Sequence, residues 1–283
     1  MTVDIRLTTP ARLTEVLALD IDAVSIGQEG CHHKLPDTDT LRHALDRIRT
    51  AGLRAGLVLP TAWQRHATTL ADTALTVAKD GPLACTVNDL GTLAHLAAQA
   101  PAGCELALGL ALRPGRAHDA AEQPRRPDEP TVYDEAFLTE YAAFGVRVLE
   151  ADPAAVVHAP AGWRVRRLAD VTPVAWARAC PTARHHQLTP PHCATACDTP
   201  VRLTATHRWQ LGHGHREPVP VADRPHQPHL TVYGNTAYAQ AATPADPADP
   251  AASAEVIVDA RFHTPQQLAA HAAVLRPALA AHP

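Results

Sequence analysis

The sequence has no long run of charge of one sign: 25 lysines and arginines stand against 29 aspartates and glutamates, a formal net charge of -4. That balance excludes the electrostatic footprint by which proteins grip nucleic acid or an acidic membrane surface. Small molecules and other proteins remain as partners. No stretch approaches the roughly 20 apolar residues that a transmembrane helix requires. The first residues, MTVDIRLTTPARLTEVLALD, have neither the basic start nor the continuous apolar core of a secretory signal. The expectation is a cytoplasmic protein without membrane insertion. There is no HExxH helix for a catalytic zinc and no GxSxG nucleophile elbow. Aromatic residues amount to 4%, a scarcity from which no function follows.

Short apolar runs alternate with amphipathic stretches, the pattern of β/α units around a parallel sheet. DAVSIG at 22–27 reads as a strand. Asp37 or Thr38 then caps a helix in which Leu41, Ala44, Leu45 and Ile48 recur at helical spacing, and Gly52 stops it. RAGLVLP (54–60), PLACTV (82–87) and CELALGLAL (104–112) follow as strands, the last without clean alternation, as suits a strand covered on both faces. Between them lie a helix through Trp63, Leu70 and Leu75 and another capped by Asn88 or Asp89. GVRVLE (145–150), GWRVRRL (162–168), HLTVYG (229–234) and AEVIVDARF (254–262) bring the strand candidates to eight, and a helix closes the chain. Eight strands in this length predict an α/β fold of the TIM-barrel-like (β/α)8 kind, one domain over 1–283, irregular in its last third. An open doubly wound sheet is the alternative. The proline-rich segments 113–130 and 241–255 are expected to be surface loops.

Three of the six cysteines fall within CPTARHHQLTPPHCATAC, residues 180–197. In a reducing compartment such clustering points to metal ligation or catalysis before disulfides. Cys193 and Cys197 are four apart, so on a helical turn their side chains share a face. Cys180 lies thirteen positions before Cys193, and Pro190 and Pro191 restrict the connection between them. Cys31 follows the strand at 22–27, and loops after the strands of a parallel barrel emerge at one mouth, which makes it the fourth candidate. Cys85 and Cys104 sit within apolar runs and read as small buried hydrophobes. Four thiolates suit either zinc or an iron-sulfur cluster. The spread of the ligands favours the cluster, while His32, His185, His186 and His192 keep zinc open.

ARACPTARHHQLTPPHCATAC resembles the R-C-x-T-A-R and following C-x-x-x-C segment of the collagenase-like peptidase family, the U32 group, and within it the UbiV branch. DAVSIGQEGCHHK resembles that family's first strand and cysteine segment, with Glu29 and Cys31 one position closer. TVNDLGTL (86–93) resembles its N-D-x-G turn and GVRVLEAD (145–152) its fifth-strand segment, so that the resemblance covers most of residues 15–200. It implies a TIM-barrel-like fold and a 4Fe-4S cluster held by Cys31, Cys180, Cys193 and Cys197, the four cysteines that spacing also selects. It further implies a heterodimer with a UbiU-like homologous protein and a share in oxygen-independent hydroxylation of a quinone precursor or other aromatic metabolite, with prephenate as hydroxyl donor. The peptidase activity in the family's name finds no motif here.

Arg184 and Lys34, beside the cysteines, offer positive charge that favours thiolates or clamps a carboxylate. Glu29, Asn88 and Glu150 lie near carboxyl ends of strands, where a barrel places its polar site groups, though a helix cap explains Asn88 equally well. The substrate-binding candidates are therefore Arg184, Lys34, Glu29 and Asn88, and no residue is given a proton-transfer role. The alternative function is that of a zinc-stabilised, non-catalytic binding subunit.

Overall fold

The computed structural model describes residues 2–114, 131–169, 171–177, 179–193, 196–203, 207–209, 218–220, 230–240 and 255–275. The chain divides into two compact units, one of Met1–Thr172 with Ala241–Pro283 and one of Pro173–Gln240. Most of the two segments expected to be loops, 115–130 and 241–254, lies outside the described residues.

In the first unit eight parallel strands close into a barrel: β1 (Thr2–Leu7), β2 (Ala23–Gly27), β3 (Arg54–Leu59), β4 (Leu83–Val87), β5 (Cys104–Leu108), β6 (Val148–Ala151), β7 (Arg164–Leu168) and β8 (Glu255–Asp259). Each strand pairs with its neighbours in chain order and β8 returns to β1, with Thr2 opposite Glu255 and Arg6 opposite Asp259. The (β/α)8 expectation holds, with one change of membership. Leu230–Tyr233, from the run HLTVYG, pairs in a different sheet, and Thr2–Leu7 takes its place in the barrel. Alternation explains how TVDIRL qualifies: Val3, Ile5 and Leu7 face one way, Asp4 and Arg6 the other.

Among the described residues the helices are α1 (Leu13–Val16), α2 (Thr38–Thr50), α3 (Gln64–Ala78), α4 (Leu90–Ala97), α5 (Glu135–Ala142), α6 (Pro181–His185) and α7 (Pro265–Leu275). α2 starts where the Asp37 carboxylate accepts from the Thr40 N–H at 2.8 Å, and it buries Leu41, Ala44, Leu45 and Ile48, the four residues its spacing selects. α4 is capped by Asp89, which accepts from the Thr92 N–H at 2.9 Å. None of the helices is long and apolar enough to cross a membrane.

The outward residues of the strands, among them Ile5, Ile26, Leu57, Cys85, Leu108, Leu149 and Val258, join Leu45 of α2, Val77 of α3 and Leu93 of α4 in one apolar core. Strand alternation turns the intervening residues into the lumen. Barrels commonly fill that space with branched aliphatic side chains. Here Val58, Val148, Leu168 and Ile257 share it with Asp4, Arg6, Ser25, Thr86, Glu150, Arg166, Glu255 and Asp259, all of them buried. Small neighbours make room. A Cβ on Gly56 would stand 2.2 Å from Ser25 Oγ, and one on Gly27, which has φ +116°, would stand 2.2 Å from the Val58 carbonyl oxygen.

The second unit carries most of a four-stranded sheet in the order Val171–Trp176, Thr236–Gln240, Leu230–Tyr233, Val201–Leu203, the first of which begins two residues before the unit does. Leu230–Tyr233 and Thr236–Gln240 form a hairpin in which Tyr233 faces Thr236 and Gly234 turns the chain at φ +60°. Val232, Tyr233, Tyr238 and Ala239 are buried along it.

Candidate functional site

Two groups of side chains have the makings of a site, one in each unit. In the barrel the lumen charges form a connected network. Arg166 reaches Asp4, Glu150 and Glu255 from the middle of β7, and Glu255 also pairs with Arg54. Arg6 Nη2 donates to Glu150 Oε1 at 2.6 Å, Thr86 Oγ1 donates to the same oxygen at 2.7 Å, and Ser25 Oγ donates to Asp4 Oδ2 at 2.6 Å. Burial works against the charge of Arg166, but Asp4, Glu150 and Glu255 outweigh it and raise its pKa above the ordinary arginine value. A buried ion pair repays its desolvation only when its geometry and remaining hydrogen bonds are good. In this lumen three carboxylates share three guanidinium groups, Arg6, Arg54 and Arg166, and two hydroxyls, which meets that condition in part: among the described residues Asp4 Oδ1, Glu150 Oε2 and Arg6 Nε have no hydrogen-bond partner.

Toward the carboxyl ends of the strands the network continues. Arg261, just past β8, pairs with Asp259 and Glu29, and its Nη1 donates to Gln28 Oε1 at 3.0 Å. Glu29, 1% exposed, thus sits at the barrel mouth as its position after a strand suggests. Burial lowers the pKa of Arg6, but Glu150, Glu29 and Asp259 raise it, leaving it above the ordinary value. Five carboxylates, Asp4, Glu29, Glu150, Glu255 and Asp259, thereby face four guanidinium groups, Arg6, Arg54, Arg166 and Arg261.

Asn88 is the first residue after β4, and its amide is committed at both ends. Nδ2 donates to the Leu59 carbonyl at 2.9 Å and Oδ1 accepts from the Ala111 N–H at 3.0 Å. It ties β3 to the segment after β5, and the cap falls to Asp89. Gly109 accommodates this tie, since a Cβ there would lie 2.3 Å from Asn88 Oδ1. Lys34 ends the short helical turn His32–Lys34, whose first backbone bond runs from the Lys34 N–H to the Cys31 carbonyl at 3.1 Å. Beside it His32 stacks on His66 with ring centroids 4.5 Å apart. Burial first, then His33, His66 and Arg65, push the His32 pKa down to about 4.

In the second unit, residues 180–193 and 196–198 lie around the Gly234 turn. Cys180 precedes α6, where its Sγ accepts from the Ala183 N–H at 3.3 Å. Two residues on, the Thr182 N–H donates to the Gly234 carbonyl at 3.3 Å, and a Cβ on Gly234 would lie 3.9 Å from Cys197 Sγ. Leu188 N–H returns to the Ala183 carbonyl at 2.8 Å, and Ala196 N–H to the Cys193 carbonyl at 2.9 Å, closing the segment through short turns. Cys193 is buried, while Cys180 and Cys197 are half-buried. Arg184 lies exposed in the last turn of α6. Cys180, Cys193 and Cys197 therefore share one corner of this unit, whereas Cys31 belongs to the barrel unit. Among the described residues no three histidine, cysteine or carboxylate side chains stand in an arrangement ready to hold a metal ion.

Cys85 and Cys104 lie on adjacent strands with their neighbours in register, Leu83 opposite Cys104 and Cys85 opposite Leu106. Both pack in or against the apolar core, as their surroundings in the sequence imply. A hydrogen bond between the two thiols, followed by burial, raises the Cys85 pKa, and the same bond lowers that of Cys104.

Sequence reading missed the lumen network, apart from Glu150 and, at the mouth, Glu29. Its signal is present in VDIRL, RVRRL and EVIVD, where Asp4 and Arg6, Arg164 and Arg166, and Glu255 and Asp259 stand an even number of positions apart and so on one face of a strand. In a barrel strand covered by helices, that polar face can only point inward.

No family model matches this chain, and no curated protein matches it significantly. Among solved structures, that of a U32 peptidase aligns over 69% of this chain and 77% of its own, at 15% identity and a TM-score of 0.38. Likeness of that degree carries no argument about family, activity or substrate.

Proposed function

We propose that the protein is an iron-sulfur subunit of an oxygen-independent hydroxylation system, acting on a quinone precursor or other aromatic metabolite alongside a UbiU-like partner. The observation that carries the reading is the cysteine corner. Its thiols belong to a soft-ligand class that suits a 4Fe-4S cluster, and the segment is built of short turns, which yield to an incoming metal centre more readily than a sheet does. Cys180, Cys193 and Cys197 would hold the cluster, with Cys31 as the fourth ligand on the strength of the sequence pattern. A cluster ligated by four thiolates supplies electron transfer. The chain's own contribution is the Ala183 N–H, which sets a backbone dipole against negative charge on Cys180 Sγ, and the exposed Arg184, which meets a carboxylate of the hydroxyl donor, prephenate in this reading.

The test is anaerobic purification of the full chain followed by assay of iron, acid-labile sulfide and zinc. Iron and sulfide in equal amounts are expected, with their loss in Cys180→Ala, Cys197→Ala and Cys31→Ala and their retention in Cys85→Ala. Stoichiometric zinc without sulfide replaces the cluster with the zinc-stabilised binding subunit. Retention of the cluster in Cys31→Ala removes that residue from the ligand set.

A further inference from the structure

Among the described residues, the mouth of the barrel contains polar atoms without a hydrogen-bond partner. Arg6, the penultimate residue of β1, is 1% exposed; its Nη2 donates to Glu150, and its Nε has no partner among the described residues. Glu150 holds the matching place in β6 and is also 1% exposed. Its Oε1 accepts from Arg6, Thr86 and Arg166, while its Oε2 accepts from no described residue. Buried polar groups in native proteins are almost always matched. Here an idle guanidinium N–H and an idle carboxylate oxygen belong to two side chains already bonded to each other, so one compact molecule can satisfy both.

Chemistry narrows what that molecule is. The Nε edge of an arginine takes a carboxylate through parallel hydrogen bonds. Glu150 Oε2 needs a donor. Glu150, Glu29 and Asp259 all act on Arg6. A purely anionic ligand would add to that negative charge, whereas a cationic group next to Glu150 offsets it. We infer that the barrel mouth binds a small zwitterion of the α-amino acid class, with its carboxylate on Arg6 and its ammonium on Glu150 Oε2. This site lies in the barrel unit and does not depend on the cysteine corner. Loss of iron and sulfide leaves it untested, and its own failure leaves the cluster reading intact.

The experiment is calorimetric titration and thermal shift of the full-length protein with each common α-amino acid. Any amino acid that binds is then compared with its analogue lacking the amine and its analogue lacking the carboxylate. At least one amino acid is expected to bind and raise the melting temperature, with either analogue weaker by about tenfold or more, as befits loss of one charge-assisted hydrogen bond. Glu150→Gln, which keeps the shape of the side chain, is expected to weaken binding by a similar factor. Where that variant does not fold, the analogue series on the unaltered protein decides. Equal binding of the carboxylate analogue, or binding of no amino acid, overturns the inference. So does a crystal grown with the amino acids in which ordered water alone occupies Arg6 Nε and Glu150 Oε2.

Discussion

In the barrel, functional-looking side chains are held by strands; in residues 173–240, the thiols are held by turns. Arg166 and its carboxylates are fixed by the register of β1, β6, β7 and β8, and each sits among buried partners. Cys180, Cys193 and Cys197 depend on single backbone bonds within a short segment and on a glycine hairpin. A sheet positions groups accurately, but every group it buries must be electrostatically compensated. A cluster of turns demands less compensation and leaves its side chains able to move toward a ligand. The difference teaches that losing one partner is costliest in the lumen, whereas the proposed cofactor chemistry resides in the corner.

The severest way to break this contrast is Arg166→Met, which leaves Asp4 and Glu255 buried without their shared cation. A loss of about 3–5 kcal/mol is expected by urea unfolding. A loss below about 1 kcal/mol, the ordinary mutational level, would mean that losing a partner is no costlier in the lumen than elsewhere.

Next comes Asn88→Ala, which strips partners from the Leu59 carbonyl and the Ala111 N–H. The expected cost is about 1–3 kcal/mol in the same measurement. An unchanged unfolding midpoint would show that water replaces the amide and that the tie is dispensable.

Cys180→Ala is expected to shift unfolding of the metal-free protein by less than about 0.5 kcal/mol, since it removes one long N–H···S contact from a turn. Far-ultraviolet circular dichroism monitored through thermal melting would settle it. Collapse of the fold would place structural weight on the corner and blur the contrast.

The smallest effect is one of reactivity. Because the hydrogen bond from Cys85 lowers the Cys104 pKa and raises that of Cys85, Cys104 becomes a thiolate at the lower pH. Iodoacetamide labelling of the native protein followed by peptide mass spectrometry should modify Cys104 first and spare Cys85. Equal labelling would contradict the pairing.

Much of the barrel was legible in the sequence because β/α units announce themselves by spacing. The run from Leu41 to Ile48 identifies the buried face of α2 without any tertiary information. Thr2–Leu7 was harder to recognise, since Asp4 and Arg6 make it look like a strand with one wet face, and nothing local says that the polar face is enclosed. HLTVYG carries the opposite trap: it is apolar enough for a barrel strand, but its Gly234 turn leads straight into Thr236–Gln240 as a hairpin. The three thiols of one short segment fall in one unit and Cys31 in the other, and among the described residues no three histidine, cysteine or carboxylate side chains stand ready to hold a metal ion. The Arg6 and Glu150 pairing was not legible, because 144 residues separate the two and only closure of the sheet makes them neighbours.

The pairing of β1 with β8 also constrains the order of assembly. During synthesis Asp4 and Arg6 leave the ribosome well before the strand that closes beside them, which is made some 250 residues later, as the register Asp4 to Ile257 requires. Until then the charges of β1 lack a complete lumen, so the barrel cannot be finished as a growing amino-terminal piece. A nascent chain stalled before β8 would expose an unsealed, highly charged strand edge, and chaperone dependence should persist until β8 emerges.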